Sequence, residues 1–392
     1  MKYQFSAAMR DMKPSAIREI FKSLGQPGAI SFAAGNPAPE SFPAEQMAAI
    51  AADIFENRAS VALQYGTTEG YTPLRELVAD RLARRFGVDT ASNMTVITSG
   101  GQQGIELACK TLCDAGDVVI CENPSFIGAL NAFRSLGACP VGVELEEDGI
   151  SLEGLEAALK AHPNAKLLYL IPTFQNPAGI TMSLEKRKTV YALAKQYDVM
   201  ILEDNPYGDL RFAGAELPTI KSMDTDGRVI YCGTFSKILS AGMRVGYVCG
   251  PEAVVQKLVV AKQVEDVHTN LFFQMLCAEF MKRHDLDAHI DFIRSLYREK
   301  CGCMLETLDA CTPSDVTYTR PEGGLFLWCT LPKRIPMADF VAEAAERKVF
   351  VVPGTTFNCD LSAPSQSFRL NYSTPSNEEI KKGIAILGDL LK

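Results

Sequence analysis

Short apolar runs alternate with helix-length amphipathic stretches through the middle of the chain. Residues 94–98 (MTVIT), 117–122 (DVVICE), 165–172 (AKLLYLIP), 198–204 (DVMILED), 228–235 (RVIYCGTF) and 244–250 (RVGYVCG) are apolar at successive positions, the pattern of strands covered on both faces. Between most of them lies a segment long enough for a helix, such as Ser183 to Tyr197. Such an alternation predicts an α/β fold: a mostly parallel sheet flanked by helices, with its ligand site at the carboxyl ends of the strands. Upstream, Thr72 as N-cap and Pro73 at the first helical position predict a helix start, and Leu74, Leu77, Val78, Leu82 and Phe86 follow at helical spacing until Gly87. After about residue 280 the pattern changes to a long helical stretch (286–309), EGGLFLWCTL, a helix near Met337 to Arg347, FVVPGTTF and SFRLNYS, which predicts a second, smaller α+β domain. Pro14, Pro27, Pro37, Pro39 and Pro43 break up the beginning of the chain into an arm expected to pack on that domain or on a partner subunit. The expected division is 1–44 for the arm and part of the small domain, 45–280 for the large domain and 281–392 for the small C-terminal domain.

Length changes this picture little: 392 residues exceed one ordinary core and suit two domains. A formal net charge of −8 excludes a binder driven by the nucleic-acid backbone, which needs a concentrated basic surface. The three arginines between Arg81 and Arg85 read instead as a solvated or interface face of their helix. Twelve cysteines scattered through apolar stretches, with no secretory leader, read as reduced and buried rather than as a disulfide framework. Cys301-Gly-Cys303 has no second pair at zinc spacing, and His162, His268, His284 and His289 form no metal-binding pattern, so no metal is expected. No segment reaches about 18 uninterrupted apolar residues, so no membrane span and a cytoplasmic location are expected.

Five motifs fall at strand ends or just beyond them. Thr98-Ser-Gly-Gly-Gln-Gln-Gly104 is either a plain turn or a glycine-rich approach to a phosphate at a helix N-terminus. Asn176-Pro-Ala-Gly179 reads by itself as a turn. In Glu203-Asp204-Asn205-Pro206-Tyr207, Asp204 ends a buried strand, where a carboxylate must cap a loop or face a cation. Lys237, within Thr234-Phe-Ser-Lys-Ile-Leu and seven residues before Arg244, sits among apolar neighbours that lower its pKa and favour the neutral amine that Schiff-base chemistry requires. Ser236 and Arg244 bracket it with phosphate-type ligands. In Ser367-Phe-Arg-Leu-Asn-Tyr372, Arg369 on an apolar strand either grips a carboxylate bidentately or makes an ordinary salt bridge.

In this order and spacing, SGGQQG, NPAG, EDNPY, TFSK with its later arginine, and FRLNYS resemble the fold type I aminotransferases of class I/II, which depend on pyridoxal 5′-phosphate (PLP). Within these the chain is most similar to the branch of aromatic and 2-aminoadipate (kynurenine-type) aminotransferases, and the likeness runs over essentially its whole length. The resemblance implies a large domain with a mostly parallel seven-stranded sheet, and a ping-pong transfer of the amino group of an α-amino acid to a 2-oxo acid such as 2-oxoglutarate. It implies that Lys237 forms the internal aldimine and moves the proton, that Asp204 pairs with the pyridine nitrogen, and that Asn176 and Tyr207 bond the ring 3′-oxygen. Gly100, Gly101, Gln102, Ser236 and Arg244 would hold the phosphate, with Thr234 a further hydroxyl; Phe126 would stack on the ring where the family often has tyrosine. Gly101 stands where serine or alanine is common, leaving only its backbone N–H as a donor. Arg369 would anchor the substrate carboxylate beside Gly35 and Asn176, Arg18 would meet a distal carboxylate, and Tyr65 would reach the phosphate of the partner subunit in a homodimer. The rivals are a PLP-dependent lyase or decarboxylase on the same scaffold, and a PLP-binding sensor domain without turnover. The second calls for a DNA-reading module, for which the roughly 40 residues ahead of the pattern are too few.

Overall fold

The computed structural model describes residues 3–10, 12 and 27–392. The first strand, β1 (Ile30–Ser31), pairs in parallel with β12 (Val349–Phe350) far along the chain. The main sheet is built from β2 (Asn93–Thr98), β3 (Val118–Asn123), β4 (Cys139–Glu146), β5 (Gly149–Ile150), β6 (Ala165–Leu170), β7 (Met200–Asp204), β8 (Val229–Thr234) and β9 (Gly246–Pro251). Their order is β2-β9-β8-β7-β6-β3-β4-β5. The pairs among β8, β7, β6, β3 and β4 are parallel, whereas β9 runs antiparallel to both its neighbours. Seven strands are long, as expected; the two-residue β5 folds back on β4 and makes an eighth. Strand β4 was not among the apolar runs because it mixes exposed and buried positions near the sheet edge, with Pro140 and Gly142 inside it.

Consecutive apolar residues form the central strands because helices cover both faces: Leu167, Tyr169, Leu202 and Ile230 face one core cluster, and Leu168, Leu170, Ile201 and Val229 the other. The helix Thr72–Phe86 begins one residue earlier than its sequence suggests. Tyr71 is the N-cap, its N–H held by the Gln274 side chain at 2.7 Å, and Gly87 ends the helix in a left-handed conformation (φ 65°). Its arginines divide between the two alternatives of a solvated or an interface face, Arg84 being exposed and Arg81 and Arg85 turned to neighbouring elements. Arg81 is buried and bonds Asp209 at 2.7 Å and Asp287 at 2.6 Å, while Arg85 pairs with Glu216. The helix is thereby tied to the turn after β7 and to the long helix Leu286–Cys311.

A second, antiparallel sheet joins β10 (Thr317–Tyr318), β11 (Phe326–Thr330), β14 (Ser367–Asn371) and β13 (Val352–Pro353) in the order β10-β11-β14-β13. Residues after β1 lie against it: Asn371 N–H donates to Phe32 O, and Ser373 Oγ to Asn36 O at 2.6 Å. This brings residues 33–36 to the carboxyl edge of the main sheet. All twelve cysteines are free. Among the described residues no group of three or more His, Cys, Asp or Glu could hold a metal, and no helix is long and apolar enough to cross a membrane.

Candidate active site

Strands β6, β7 and β8 are mutually parallel and end on one edge, so the loops after Leu170, Asp204 and Thr234 converge there. Antiparallel pairing of β2 and β8 with β9 brings Thr98 to the same edge, and Gly100 follows as the N-cap of the helix Gly101–Leu112. Phe126 caps the helix after β3. These loops and β14 enclose a cavity of about 330 Å³. Lining it are Lys237, Asp204, Tyr207, Asn176, Arg369 and Gly35, and, on its other side, Gly101, Gln102, Phe126, Thr234, Ser236 and Arg244. Gly100 lies against Arg244 just outside: its φ is +81°, and an added Cβ would collide with the guanidinium. Tyr65 lies apart, 80 % exposed and edge-on to His268 with 5.8 Å between ring centroids. Arg18 lies outside the described residues.

Lys237 donates to Gly35 O at 2.7 Å. No carboxylate pairs with it among the described residues; burial, with Arg369 and Arg244 nearby, pushes its pKa down to about 8. Asp204 is the complementary case. It is buried without a cation partner among the described residues, accepts from Tyr169 O–H at 2.7 Å, and burial raises its pKa to about 7 although that bond opposes the rise. Asn176 joins the two ends of the cavity: its Nδ2 donates to Tyr207 Oη at 3.2 Å, and its Oδ1 accepts from Arg369 Nη1 at 2.8 Å. Burial raises the Tyr207 pKa, with Arg369 opposing.

Arg369 is buried, donates through Nη2 to Ala33 O at 2.8 Å, and lies between the rings of Phe326 (4.2 Å) and Phe357 (4.9 Å). Burial lowers its pKa to about 10, and its Nε–H has no partner. A buried guanidinium with one N–H unpaired among the described residues, set against two aromatic rings, has the donors to bind a carboxylate. On the opposite side Thr234 Oγ1 donates to Ser236 Oγ at 2.8 Å, and Arg244 Nη2 to Ser99 O at 3.2 Å; with the first turn of the helix Gly101–Leu112 this gathers donors suited to an anion.

Two buried ionisable side chains hold the loop that carries Asn176. Arg187, fully buried, gives its N–H groups to Met182 O, Pro172 O, Pro218 O and Thr173 Oγ1, at 2.8–3.0 Å. Glu122 takes the opposite role, accepting from Ile171 N–H at 3.0 Å and Gln175 Nε2 at 3.3 Å, and burial raises its pKa to about 8. Larger clefts of about 580 and 490 Å³ lie elsewhere, but their arginines are already paired: Arg320 with Asp309, Arg85 with Glu216 and Arg211 with Glu322.

Sequence reasoning missed several residues of this site. Tyr169 lies in a run that reads only as a buried strand, and Phe326, Phe357 and Ala33 come from segments whose convergence is a matter of tertiary structure. Asn36, Ile105 and Ile171 also line the cavity without being singled out in the sequence, as does Pro206, which was read only as part of the Glu203–Tyr207 motif.

The family described as aminotransferase class I and II matches residues 27–387. The chain is similar to aromatic-amino-acid aminotransferase 1 of Thermococcus litoralis, with 39% identity over 99% of this chain and 94% of that one. It is 40% identical to the 2-aminoadipate transaminase of Thermus thermophilus over 97% of this chain and 94% of the relative. Its fold is similar to the crystal structure of Pyrococcus horikoshii kynurenine aminotransferase, with a TM-score of 0.94 and 38% identity over 99% and 96% of the two chains.

Proposed function

The chain belongs to the class I and class II aminotransferases, and on that premise we propose that the cavity around Lys237 is the active site. The enzyme is PLP-dependent and moves an amino group between an amino acid and an oxo acid in a ping-pong reaction. The observation that carries the site assignment is Lys237 itself, an amine with no carboxylate partner among the described residues, lowered to about 8 and sharing one cavity with Asp204 and Arg369.

The residues fit the cofactor. Asp204 lacks a cation and would pair with the pyridine nitrogen; Asn176 and Tyr207 would bond the ring oxygen; Phe126 would stack on the ring. Gly100, Gly101, Gln102, Thr234, Ser236 and Arg244 would hold the phosphate, and Lys237 would carry the cofactor covalently. When bound, PLP supplies an electron sink that stabilises negative charge at the amino-acid Cα. When not bonded to the cofactor, the Lys237 amine would take the substrate Cα proton and hand it on to the cofactor's aldehyde carbon, a task for which a pKa near the working pH is suited. Arg369 receives the α-carboxylate through its unpartnered edge, and Asn176 holds that guanidinium while bonded to Tyr207, so substrate and cofactor are aligned by one side chain.

2-Oxoglutarate is the acceptor we propose, with Arg18 meeting its distal carboxylate; the relatives' names make aromatic amino acids, 2-aminoadipate and kynurenine the donors to screen first. A homodimer is part of the same reading. Its support is an exposed group, Tyr65, Leu63 and Val264, each more than 70 % exposed, with Tyr65 reaching the partner's phosphate. We also assign the domain limits 1–44, 45–280 and 281–392. The test is a half-reaction: PLP-loaded enzyme mixed with each donor should release one 2-oxo acid per site without an acceptor, and Lys237→Ala should release none. Release of ammonia or carbon dioxide instead would favour a lyase or decarboxylase.

A further inference from the structure

Behind the glycine-rich turn at Ser99–Gln103 lies a network that the proposed chemistry does not use. Lys262, in the last turn of the helix Glu252–Glu265, is fully buried. Its ammonium group donates to both Asp266 carboxylate oxygens (2.8 and 2.9 Å), to Gln103 Oε1 (2.8 Å) and to Thr269 Oγ1 (2.9 Å), which uses all three protons of the group. Asp266 in turn accepts from Ser99 Oγ at 2.7 Å and Gln103 Nε2 at 2.8 Å, and Gln103 Oε1 accepts from Ser99 N–H at 2.8 Å. Ser99 O receives Arg244 Nη2. The residue after Asp266, Val267, has a φ of 64°, a conformation a β-branched residue adopts only when its surroundings impose it.

We propose that Lys262 and Asp266 are positioning residues for the anion cup: the ion pair between the buried lysine and the half-buried aspartate fixes Ser99 and Gln103, and through Ser99 O the direction of Arg244. Neither lines the cavity, so their effect falls on how well the cup is formed before a phosphate arrives. Surface ion pairs seldom matter, but here Lys262 is fully enclosed and the half-buried Asp266 also holds Ser99 and Gln103, so removing either partner unpairs the other and releases the turn. This inference rests on the reading of the cavity as a PLP site.

The test is equilibrium dialysis of full-length protein against PLP, with amino-acid turnover at saturating cofactor measured separately. Lys262→Met should raise the half-saturating PLP concentration about tenfold or more, with kcat at saturating PLP unchanged. Asp266→Asn, which keeps shape and one acceptor for Lys262, should shift it in the same direction by less, and decides the matter if Lys262→Met does not fold. A folded variant with wild-type half-saturation, or one that loses kcat while binding PLP normally, overturns the proposal. Failure of the wild type to take up PLP overturns the cofactor assignment beneath it, a separate outcome.

Discussion

Lys237 and Asp204 are shifted in opposite directions by the same cause, burial, and each lacks its natural counter-ion. An ordinary lysine is almost wholly protonated at neutral pH; with its pKa lowered to about 8, roughly a tenth of Lys237 is neutral at pH 7. Because the shift is downward, the neutral amine gains as pH rises towards 8 and saturates above it. The rate at which apoprotein captures PLP, followed by stopped-flow absorbance, should therefore climb about tenfold between pH 6 and pH 7 and flatten above pH 8. For Asp204, donation from Tyr169 favours the anion, so Tyr169→Phe should push that carboxyl further up and lower kcat by about tenfold. Asp204→Asn, which cannot ionise, should cost about 100- to 1000-fold in steady-state assays. Asp204 and Lys237 stood out in the sequence as charged residues at or just past the end of an apolar run, and Arg369 as one inside such a run. Tyr169 did not: its role depends on its hydroxyl reaching Asp204 from the neighbouring strand, with Tyr169 opposite Leu202 in the β6–β7 register.

At the scale of elements, the site depends on loops that are held from behind by buried polar side chains. Arg187 satisfies four acceptors around the Asn176 loop with no carboxylate paired to it, so Arg187→Met should strand those groups and cost about 3–5 kcal/mol in a denaturant titration. Gly100→Ala should displace Arg244 and weaken PLP binding while leaving the helix behind it intact, which circular dichroism and dialysis together would report. The central strands were readable as continuous apolar runs, whereas β4 was not, because one mixed face at a sheet edge carries no such signal. The helix at Thr72–Phe86 was readable in its apolar stripe; which of its arginines is solvated and which is buried was not, because the partners of Arg81, Asp209 and Asp287, are distant in sequence.

At the scale of the whole molecule, residues 30–38, the main sheet and β14 meet at one edge, so the substrate carboxylate would be held by two segments, at Ala33–Gly35 and Arg369, that lie more than 300 residues apart in sequence. The proposed dimer predicts a solution mass near twice 42.8 kDa by light scattering, and Tyr65→Ala should weaken PLP binding without changing that mass. The central claim is that one lysine carries the cofactor. The most direct measurement is borohydride reduction of PLP-loaded protein followed by peptide mass spectrometry. The pyridoxyl adduct should be found on Lys237 at one per chain, and its appearance on another lysine, or on none, would contradict the account.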